Sequence, residues 1–241
     1  MNNTTNNIAS SNTGLSIAAP YNTKDDLKSY LIQNSDYQWG GKYEMPGIKA
    51  ENINLQEINK LIPFSKPSRK HNINANDISD AWIHFYENDR VFECVWNNPN
   101  KYLDFFKQAK GIISPDYSTY YTMPLAYQIG NICRNRALGS WFQQNGIKVI
   151  PNVSFGTEES YEFCCDGIEP GGVIAVGALG TLRKETDKKY FAKGVNFAVN
   201  KLHPKAIIVY GTAHDKIFDP IMEAGVEVRF YESEIDKQHK K

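Results

Sequence analysis

From residue 111 to residue 231, short runs rich in β-branched residues alternate with longer runs that have helical spacing. A strand reaches a parallel neighbour only through a long crossover, usually a helix with right-handed geometry. The alternation therefore predicts an α/β fold with a mostly parallel sheet of alternating βα units and an N-terminal extension. A doubly wound sheet and a partial β/α barrel both satisfy this pattern.

The predicted strands of this region are 111–114, 147–153, 172–176, 206–210 and 226–231, and the predicted helices are 123–144, 158–164, 188–202 and 220–224. Asn145 and Gly146 form a typical helix-ending signal. Because all the strands are predicted to run the same way, their carboxyl ends should meet at one edge of the sheet.

The segment before residue 111 is predicted to contain a β-hairpin. Trp82–Tyr86 and Val91–Val95 are two β-rich runs, joined by the turn sequence Glu87–Arg90. Asn98-Pro99 then opens a helix that continues to Gln108. The packed core is expected to begin near Ala81.

The chain of 241 residues suits one substantial core plus unstructured sequence. Residues 1–20 are predicted to be a disordered tail because the opening stretch is almost entirely Asn, Thr and Ser. Residues 21–78 are predicted to be an extended arm with a short helix at 25–33. Residues 79–235 should form the α/β core, and residues 236–241 a charged tail.

Lysine plus arginine and aspartate plus glutamate balance at 27 each, so no global field favours binding to nucleic acid or an anionic membrane. Cys94, Cys133, Cys164 and Cys165 do not form the C-x-x-C spacing of a structural zinc or redox site. Cys164 and Cys165 would point to opposite faces of a regular element, so no bond between them is expected. Without a signal peptide or an apolar run near the ~20 residues that span a bilayer, the protein is predicted to be cytoplasmic, with reduced thiols and no membrane association.

The residues that follow the predicted strands are polar and rich in glycine. They are Ser114-Pro115-Asp116, Asn152, Phe155-Gly156, Gly177-Ala178-Leu179-Gly180-Thr181 and Tyr210-Gly211-Thr212-Ala213-His214. Ligands of parallel α/β folds bind beyond the carboxyl ends of the strands. The sequence therefore predicts one ligand site formed by these segments.

Asp116 is the strongest single candidate, because a carboxylate at a strand exit can act as a general base, a metal ligand or an anchor for a hydroxyl or amino group. An Asx turn or a helix N-cap explains an aspartate there equally well. Arg136 lies on the inward stripe of the helix predicted at 123–144, where a buried guanidinium needs an anion or several carbonyls. A structural salt bridge with Asp116 or Asp166 is the first interpretation, and contact with Asp116 or an anionic ligand is the second.

Two further candidates carry weaker signals. The glycines of Gly177–Thr181 can bind phosphate through backbone N–H groups, but their spacing matches neither a P-loop nor G-x-G-x-x-G, and a tightly packed βα turn is the commoner explanation. His214 can act as an acid or base near neutral pH. A capping or solvent-facing role is more common for a single histidine in such a position.

Several of these segments resemble a known family in combination. Trp96-Asn97-Asn98-Pro99, Ser114-Pro115-Asp116, Arg134 to Gly139, Gly146 to Pro151 and Phe163 to Ile168 resemble a bacterial and phage family catalogued as domain of unknown function 4417. The resemblance extends from about Trp82 to Tyr231. The resemblance implies no particular reaction. It implies that the protein is carried by phages, plasmids or integrated elements and acts in the host cytoplasm, in replication, host takeover or evasion of defence.

Two functions remain open on the sequence. The first is an enzyme or binder of a small polar, nucleotide-like ligand, with no cofactor identified and no metal site predicted. Its catalytic candidates are Asp116, Arg136 and His214, and its ligand-binding candidates are Ser114, Asn152, Gly177, Gly180, Thr181, Tyr210, Gly211 and Thr212. The second is a non-catalytic protein that binds a host protein or nucleic acid through the aromatic and basic arm at Tyr37–His71. A nuclease ranks last, because only Asp116 and Asp166 are placed to bind a divalent metal.

Overall fold

The computed structural model describes residues 39–68, 78–179, 184–212 and 215–234. The strands are β1 (Trp39–Gly40), β2 (Met45–Pro46), β3 (Leu61–Pro63), β4 (Trp82–His84), β5 (Gly111–Ile113), β6 (Val149–Ile150), β7 (Val173–Gly177), β8 (Ala206–Tyr210) and β9 (Glu227–Tyr231). The α-helices are α1 (Ser65–Ser68), α2 (Asp89–Asn97), α3 (Leu103–Phe106), α4 (Leu125–Gln144), α5 (Glu185–Leu202) and α6 (Asp215–Glu223). Short 3₁₀ segments occupy Leu55–Glu57, Pro99–Tyr102 and Glu158–Glu162.

Strands β3 to β9 are parallel and follow one another in chain order. β3, β4, β5 and β6 form one ladder, and β7, β8 and β9 form a second. An isolated parallel bridge between Asn152 and Ala175 joins the two ladders just beyond β6. The Val153 amide donates to the Ala175 carbonyl at 2.8 Å, and the Ala175 amide donates to the Pro151 carbonyl at 2.9 Å. The α/β fold with parallel βα units is thus confirmed.

The strand order favours the partial barrel over the doubly wound sheet. A doubly wound sheet reverses its strand order and carries helices on both faces, whereas strands in unbroken order place their crossovers on one face. One face packs against the helices through Ile62, Ile83, Ile112, Val149, Ile174, Val176, Ile207 and Val209. The other face forms a single inner cluster that includes Leu61, Trp82, Ile113, Ile150, Val173, Ala175, Ala206, Ile208 and Tyr210.

Side chains draw the two edge strands of the barrel together. The Tyr231 hydroxyl on β9 donates to the carbonyl of Ile58, just before β3. Lys66, just after β3, pairs with Glu234, just after β9, at 3.3 Å. In the described part of the chain the gap is thus bridged by side chains and not by a backbone ladder.

The hairpin predicted at residues 82–95 is wrong. Trp82–His84 is a strand, but its neighbours are the parallel strands β3 and β5, and residues 91–95 belong to helix α2. The Asn88 side chain caps this helix by accepting from the Arg90 amide. Phe92 and Val95 are buried on its inward face at a spacing of three residues.

The remaining elements agree with the prediction in order and type, with shorter strands and helices in places. The predicted strand 147–153 contracts to β6, and the helix predicted at 158–164 is a 3₁₀ segment. The helix predicted at 99–108 divides into a 3₁₀ turn and α3. The helix-ending signal is confirmed, because Gly146 has φ of +81° directly after α4 and Asn145.

The packed core begins well before Ala81. Met45, Ile48, Ile58 and Phe64 are buried, and β3 pairs directly with β4. Residues 45–64 therefore pack in the same core as the later βα units. The predicted tail, the helix at 25–33 and residues 236–241 lie outside the described residues. Within the described ranges, none of the helices combines the length and apolar character needed to cross a bilayer.

Candidate functional site

The carboxyl ends of the central strands meet in a polar mouth, which we define by Ser114, Asp116, Asn152, Gly177 and Tyr210. Asn152 lies at its centre. Its side-chain amide donates to Asp116 Oδ1 at 2.7 Å, and its backbone amide donates to Ser114 Oγ at 2.8 Å. Ser114 and Asn152 are fully buried. The predicted meeting of strand exits is therefore present in the structure.

Asp116 combines an anchored oxygen with a second oxygen that has no hydrogen-bond partner in the described part of the chain. Oδ1 accepts a hydrogen bond from the Asn152 side chain, and the Asp116 residue as a whole is half-buried. Burial raises the pKa of Asp116 from 3.8 to about 7; the hydrogen bond from Asn152 lowers it, and the nearby charge of Asp89 raises it. A carboxyl group with this pKa can both accept and donate a proton near neutral pH.

Two aromatic residues that are not among the predicted candidates, Tyr86 and His84, complete the mouth. Tyr86 donates its hydroxyl to Asn152 Oδ1 at 2.9 Å and stacks on Tyr210 with ring centres 4.9 Å apart and an interplanar angle of 10°. The His84 ring lies 4.1 Å from the Tyr210 ring, and its Nδ1 accepts from the Tyr86 amide at 3.2 Å. Accepting at Nδ1 favours the neutral imidazole with its proton on Nε2.

The signal for His84 and Tyr86 was present in the sequence but was assigned to a hairpin. A parallel strand at Trp82–His84 places the residues that follow it at the carboxyl edge, like those after the other strands. Burial raises the pKa of Tyr86 well above 10, and the charge of Asp116 acts in the same direction. Tyr86 is therefore a stable hydrogen-bond donor to Asn152.

Gly177 provides the close approach between β7 and this aromatic pair. A Cβ atom added to Gly177 would lie 2.8 Å from Tyr86 Cε1 and 3.4 Å from Asp116 Oδ2. Any larger residue would collide with the stacked ring. Gly211 has φ of +100°, and its amide donates to the Tyr231 carbonyl at 2.8 Å. Thr212 beside it is exposed.

Gly180, Thr181 and His214 lie outside the described residues. Their predicted roles in phosphate binding and proton transfer therefore stay predictions. Of the candidates at strand exits, Ser114, Asp116 and Asn152 form one connected hydrogen-bond network, while Gly177 and Tyr210 contact Tyr86 within the same mouth.

Arg136 is completely buried, as its position on the inward stripe predicted. Its guanidinium donates to the backbone carbonyls of Asn152 at 3.0 Å, Cys164 at 2.6 Å and Asp166 at 2.9 Å, and also to the Asn135 side chain. Neither predicted ion pair, with Asp116 or with Asp166, occurs among the salt bridges of the described residues. The backbone carbonyls solvate this charge instead.

Arg136 therefore positions the mouth and does not line it. Burial lowers its pKa to about 10, so it stays charged at neutral pH. By holding the Asn152 carbonyl it fixes the residue that orients Asp116. Asn135 extends the support, because its Oδ1 accepts from Ser114 at 3.0 Å and its amide donates to the Pro115 carbonyl at 2.6 Å.

The described residues contain no group of three or more His, Cys, Asp or Glu side chains arranged to hold a metal ion. The polar groups that meet in the mouth include the carboxyl group of Asp116, the side-chain amide of Asn152 and the hydroxyl of Tyr86, which donates to that amide. This set suits recognition of hydrogen-bonding groups on a small molecule.

Comparison with known proteins gives the family. The sequence model of the family described as Domain of unknown function (DUF4417) matches residues 37–231. The chain belongs to this family. The match begins at residue 37, so it takes in the β1 to β3 region that the resemblance noted from sequence motifs had left out.

Two phage proteins are similar to the family member described here. The Gene 1 protein of Mycobacterium phage L5 is 33% identical over 129 residues, covering 54% of this chain and 56% of the relative. The Gene 1 protein of Mycobacterium phage D29 is 30% identical over 134 residues, covering 56% of this chain and 50% of the relative. The chain thus spans about half the length of each of these two phage proteins.

Proposed function

We propose that the mouth of the barrel binds a small polar ligand and exchanges a proton with it through Asp116. The observation that carries this proposal is the arrangement of Asp116, whose Oδ1 is held by Asn152 while Oδ2 has no hydrogen-bond partner among the described residues. A half-buried carboxyl with a pKa of about 7 can bind a hydroxyl or amino group in either protonation state.

The surroundings of Asp116 support recognition of a specific ligand over loose solvent contact. Asn152, which orients Asp116, is held by three hydrogen bonds. Its side-chain oxygen accepts from the Tyr86 hydroxyl, its backbone amide donates to Ser114 Oγ, and its backbone carbonyl accepts from Arg136. Each of these partners is buried. A preorganised polar group loses little entropy on binding, and this raises the affinity for a matching ligand.

A nucleotide-like molecule is one candidate ligand, because aromatic rings and strand-exit loops with glycine are both present at the mouth. Tyr86 and Tyr210 already stack on each other, and Gly211 lies directly after Tyr210.

The four cysteines are free thiols, and the relatives are encoded by phages, which supports a site of action in the host cytoplasm.

Binding of a host protein or nucleic acid through the N-terminal arm has less support. Residues 45–64 of that arm contribute Met45, Ile48, Ile58 and Phe64 to the buried core. Lys66 of its basic cluster pairs with Glu234, whereas Arg69, Lys70 and His71 lie outside the described residues. The described part of the arm is therefore a structural part of the barrel.

The test is to identify small molecules that leave with the purified protein. Wild type, Asp116→Asn and the control Asp219→Asn would be purified under native conditions and denatured, and the released molecules measured by mass spectrometry. Asp219 is an exposed aspartate on α6 and makes none of the hydrogen bonds of the mouth. We expect one polar compound to accompany wild type and the control, and to be lost or strongly reduced in Asp116→Asn.

A thermal-shift panel of nucleosides, nucleotides and amino acids covers a ligand that dissociates during purification. A compound that raises the Tm of wild type and of Asp219→Asn but not of Asp116→Asn would support the proposal. Equal behaviour of the three proteins in both measurements, or no bound compound and no Tm shift at all, would contradict it.

A further inference from the structure

A groove of about 570 Å³, separate from the mouth, lies between the segment at residues 40–49 and the loop at residues 165–170. The ends of α4 and α5 complete it through Ser140, Gln143, Gln144, Lys201 and Leu202. Its volume falls in the range of small-molecule sites, about 300–1,000 Å³. None of the residues that define the mouth lines this groove, so it offers a second place for chemistry.

Cys165 lines the groove, and Cys164, which precedes it in the chain, does not. Cys165 is 4% exposed and Cys164 is completely buried, and both are free thiols. The two residues lie in a turn and not in a regular element, so their side chains need not point to opposite faces. Their sulfur atoms are 3.7 Å apart, within hydrogen-bonding distance for sulfur.

The buried charge of Arg136 lies beside this pair. Its guanidinium donates to the Cys164 carbonyl at 2.6 Å and to the Asp166 carbonyl at 2.9 Å, one residue to either side of Cys165. A neighbouring cation stabilises a thiolate. The hydrogen bond between the two thiols lowers the pKa of Cys165 and raises the pKa of Cys164. Burial raises the pKa of both thiols, and the charge of Arg136 lowers both. The Asp166 carboxylate acts in the opposite direction on both thiols.

We propose that Cys165 is a site of reversible thiol modification, which reacts with a low-molecular-weight disulfide that enters the groove. The Cys165 thiolate attacks one sulfur of the disulfide RSSR. The bond between the two sulfur atoms of RSSR breaks, a mixed disulfide Cys165–S–S–R forms, and the second half leaves as the thiolate RS⁻, which takes a proton from water. Either sulfur of the pair can donate, and the thiolate of Cys165 is favoured when Cys164 donates its S–H to it.

The product is the mixed disulfide and not a Cys164–Cys165 bond. Consecutive Cα atoms across a trans peptide are about 3.8 Å apart, below the roughly 4.4–6.8 Å that unstrained disulfides span. A bond between adjacent cysteines therefore stores strain and is easily reduced. The mixed disulfide has no such constraint, because the groove has room for the added group.

Glutathione disulfide is the probe, and exposed Cys94 is the internal reference. The native protein at pH 7 is treated with it, and modification of each cysteine is followed by peptide mass spectrometry with and without later reduction. We expect Cys165 to react at least about fivefold faster than Cys94, because the groove holds the disulfide beside Cys165 and the neighbouring Cys164 thiol and Arg136 charge favour its thiolate. Half-buried Cys133, whose pKa is raised by burial, should react more slowly still.

Three comparisons separate this site from general cysteine reactivity. Unfolding in urea should remove the advantage of Cys165 over Cys94. Cys164→Ala should slow modification of Cys165 several-fold, whereas Cys164→Ser should retain most of the rate because its hydroxyl still donates. The proposal is overturned if Cys165 in the folded protein reacts no faster than Cys94, or if the main product is a Cys164–Cys165 disulfide with no added glutathione.

Discussion

Substitution of Arg136 by methionine would remove the four hydrogen bonds that the guanidinium donates to Asn135, Asn152, Cys164 and Asp166. A buried acceptor left without its partner costs about 1–3 kcal/mol. Asn135 Oδ1 keeps its hydrogen bond from Ser114, so three backbone carbonyls lose their partner. Three such losses sum to about 3–9 kcal/mol, and removing a desolvated charge returns several kcal/mol of that total. We therefore expect Arg136→Met to lower the free energy of unfolding by about 3–5 kcal/mol.

The measurement is equilibrium unfolding in urea, followed by tryptophan fluorescence and far-UV circular dichroism. Arg90→Met is the matched control, because Arg90 is exposed on α2 and its loss should change stability by no more than about 0.5 kcal/mol. Arg136→Lys should fall between the two, since an ammonium keeps the charge but lacks the planar fork that reaches separate carbonyls. A loss below about 1 kcal/mol for Arg136→Met would refute the claim that this guanidinium holds the mouth together.

Three further substitutions test the mouth and the groove. The folded pKa of Asp116, about 7, lies above its unfolded value of about 3.9, so wild type loses stability as pH rises from about 4 to 7 and does not regain it above 7. Asp116→Asn should therefore have the same free energy of unfolding as wild type near pH 4 and exceed it by about 2 kcal/mol at pH 8. This is half of the free energy that corresponds to the full pKa shift, because the carboxyl group is partly solvated. The prediction is contradicted if urea titrations show the same dependence of stability on pH for both proteins across this range. Gly177→Ala should cost about 1–3 kcal/mol in the same assay, because its Cβ would lie 2.8 Å from the stacked Tyr86 ring. Gly41→Ala should lower the free energy of unfolding by about 1–3 kcal/mol, because φ is +74° and the new Cβ would collide with the Asp166 carboxyl group. Gly130→Ala, on the open face of α4, is the control for both glycine substitutions and should raise the free energy of unfolding by about 0.5–1 kcal/mol.

Local signals predicted the βα units after residue 111 well, because each depends on neighbours within the same segment. The β-branched run at Ala206–Tyr210 gave a strand with its predicted bounds, and Asn145-Gly146 ended α4 where expected. Local signals misled where two periods fit the same residues. Val91–Val95 satisfies a β-rich pattern, but the cap at Asn88 and the inward spacing of Phe92 and Val95 make it helical.

Asp116, Asn152 and Ser114 were predictable as a group, because they follow strands whose parallel direction the helical crossovers require. His84 and Tyr86 were not predicted to join this group, because Trp82–Tyr86 was assigned to an antiparallel hairpin and not to the parallel sheet. The partners of Arg136 were not predictable. Its three carbonyls belong to residues 16 to 30 positions away in the chain, and a backbone carbonyl leaves no mark in the sequence.

The sequence alone determined the α/β class, the parallel direction of the later strands and the edge at which the polar residues that follow them meet, because these depend on periodicity and connection length. Only the tertiary structure decided that the sheet curls into a partial barrel that includes residues 45–64. It also decided that Arg136 binds carbonyls and not a carboxylate, and that Cys164 and Cys165 face each other beside a groove. These features depend on contacts between distant segments, whose geometry is set by packing and not by local propensity.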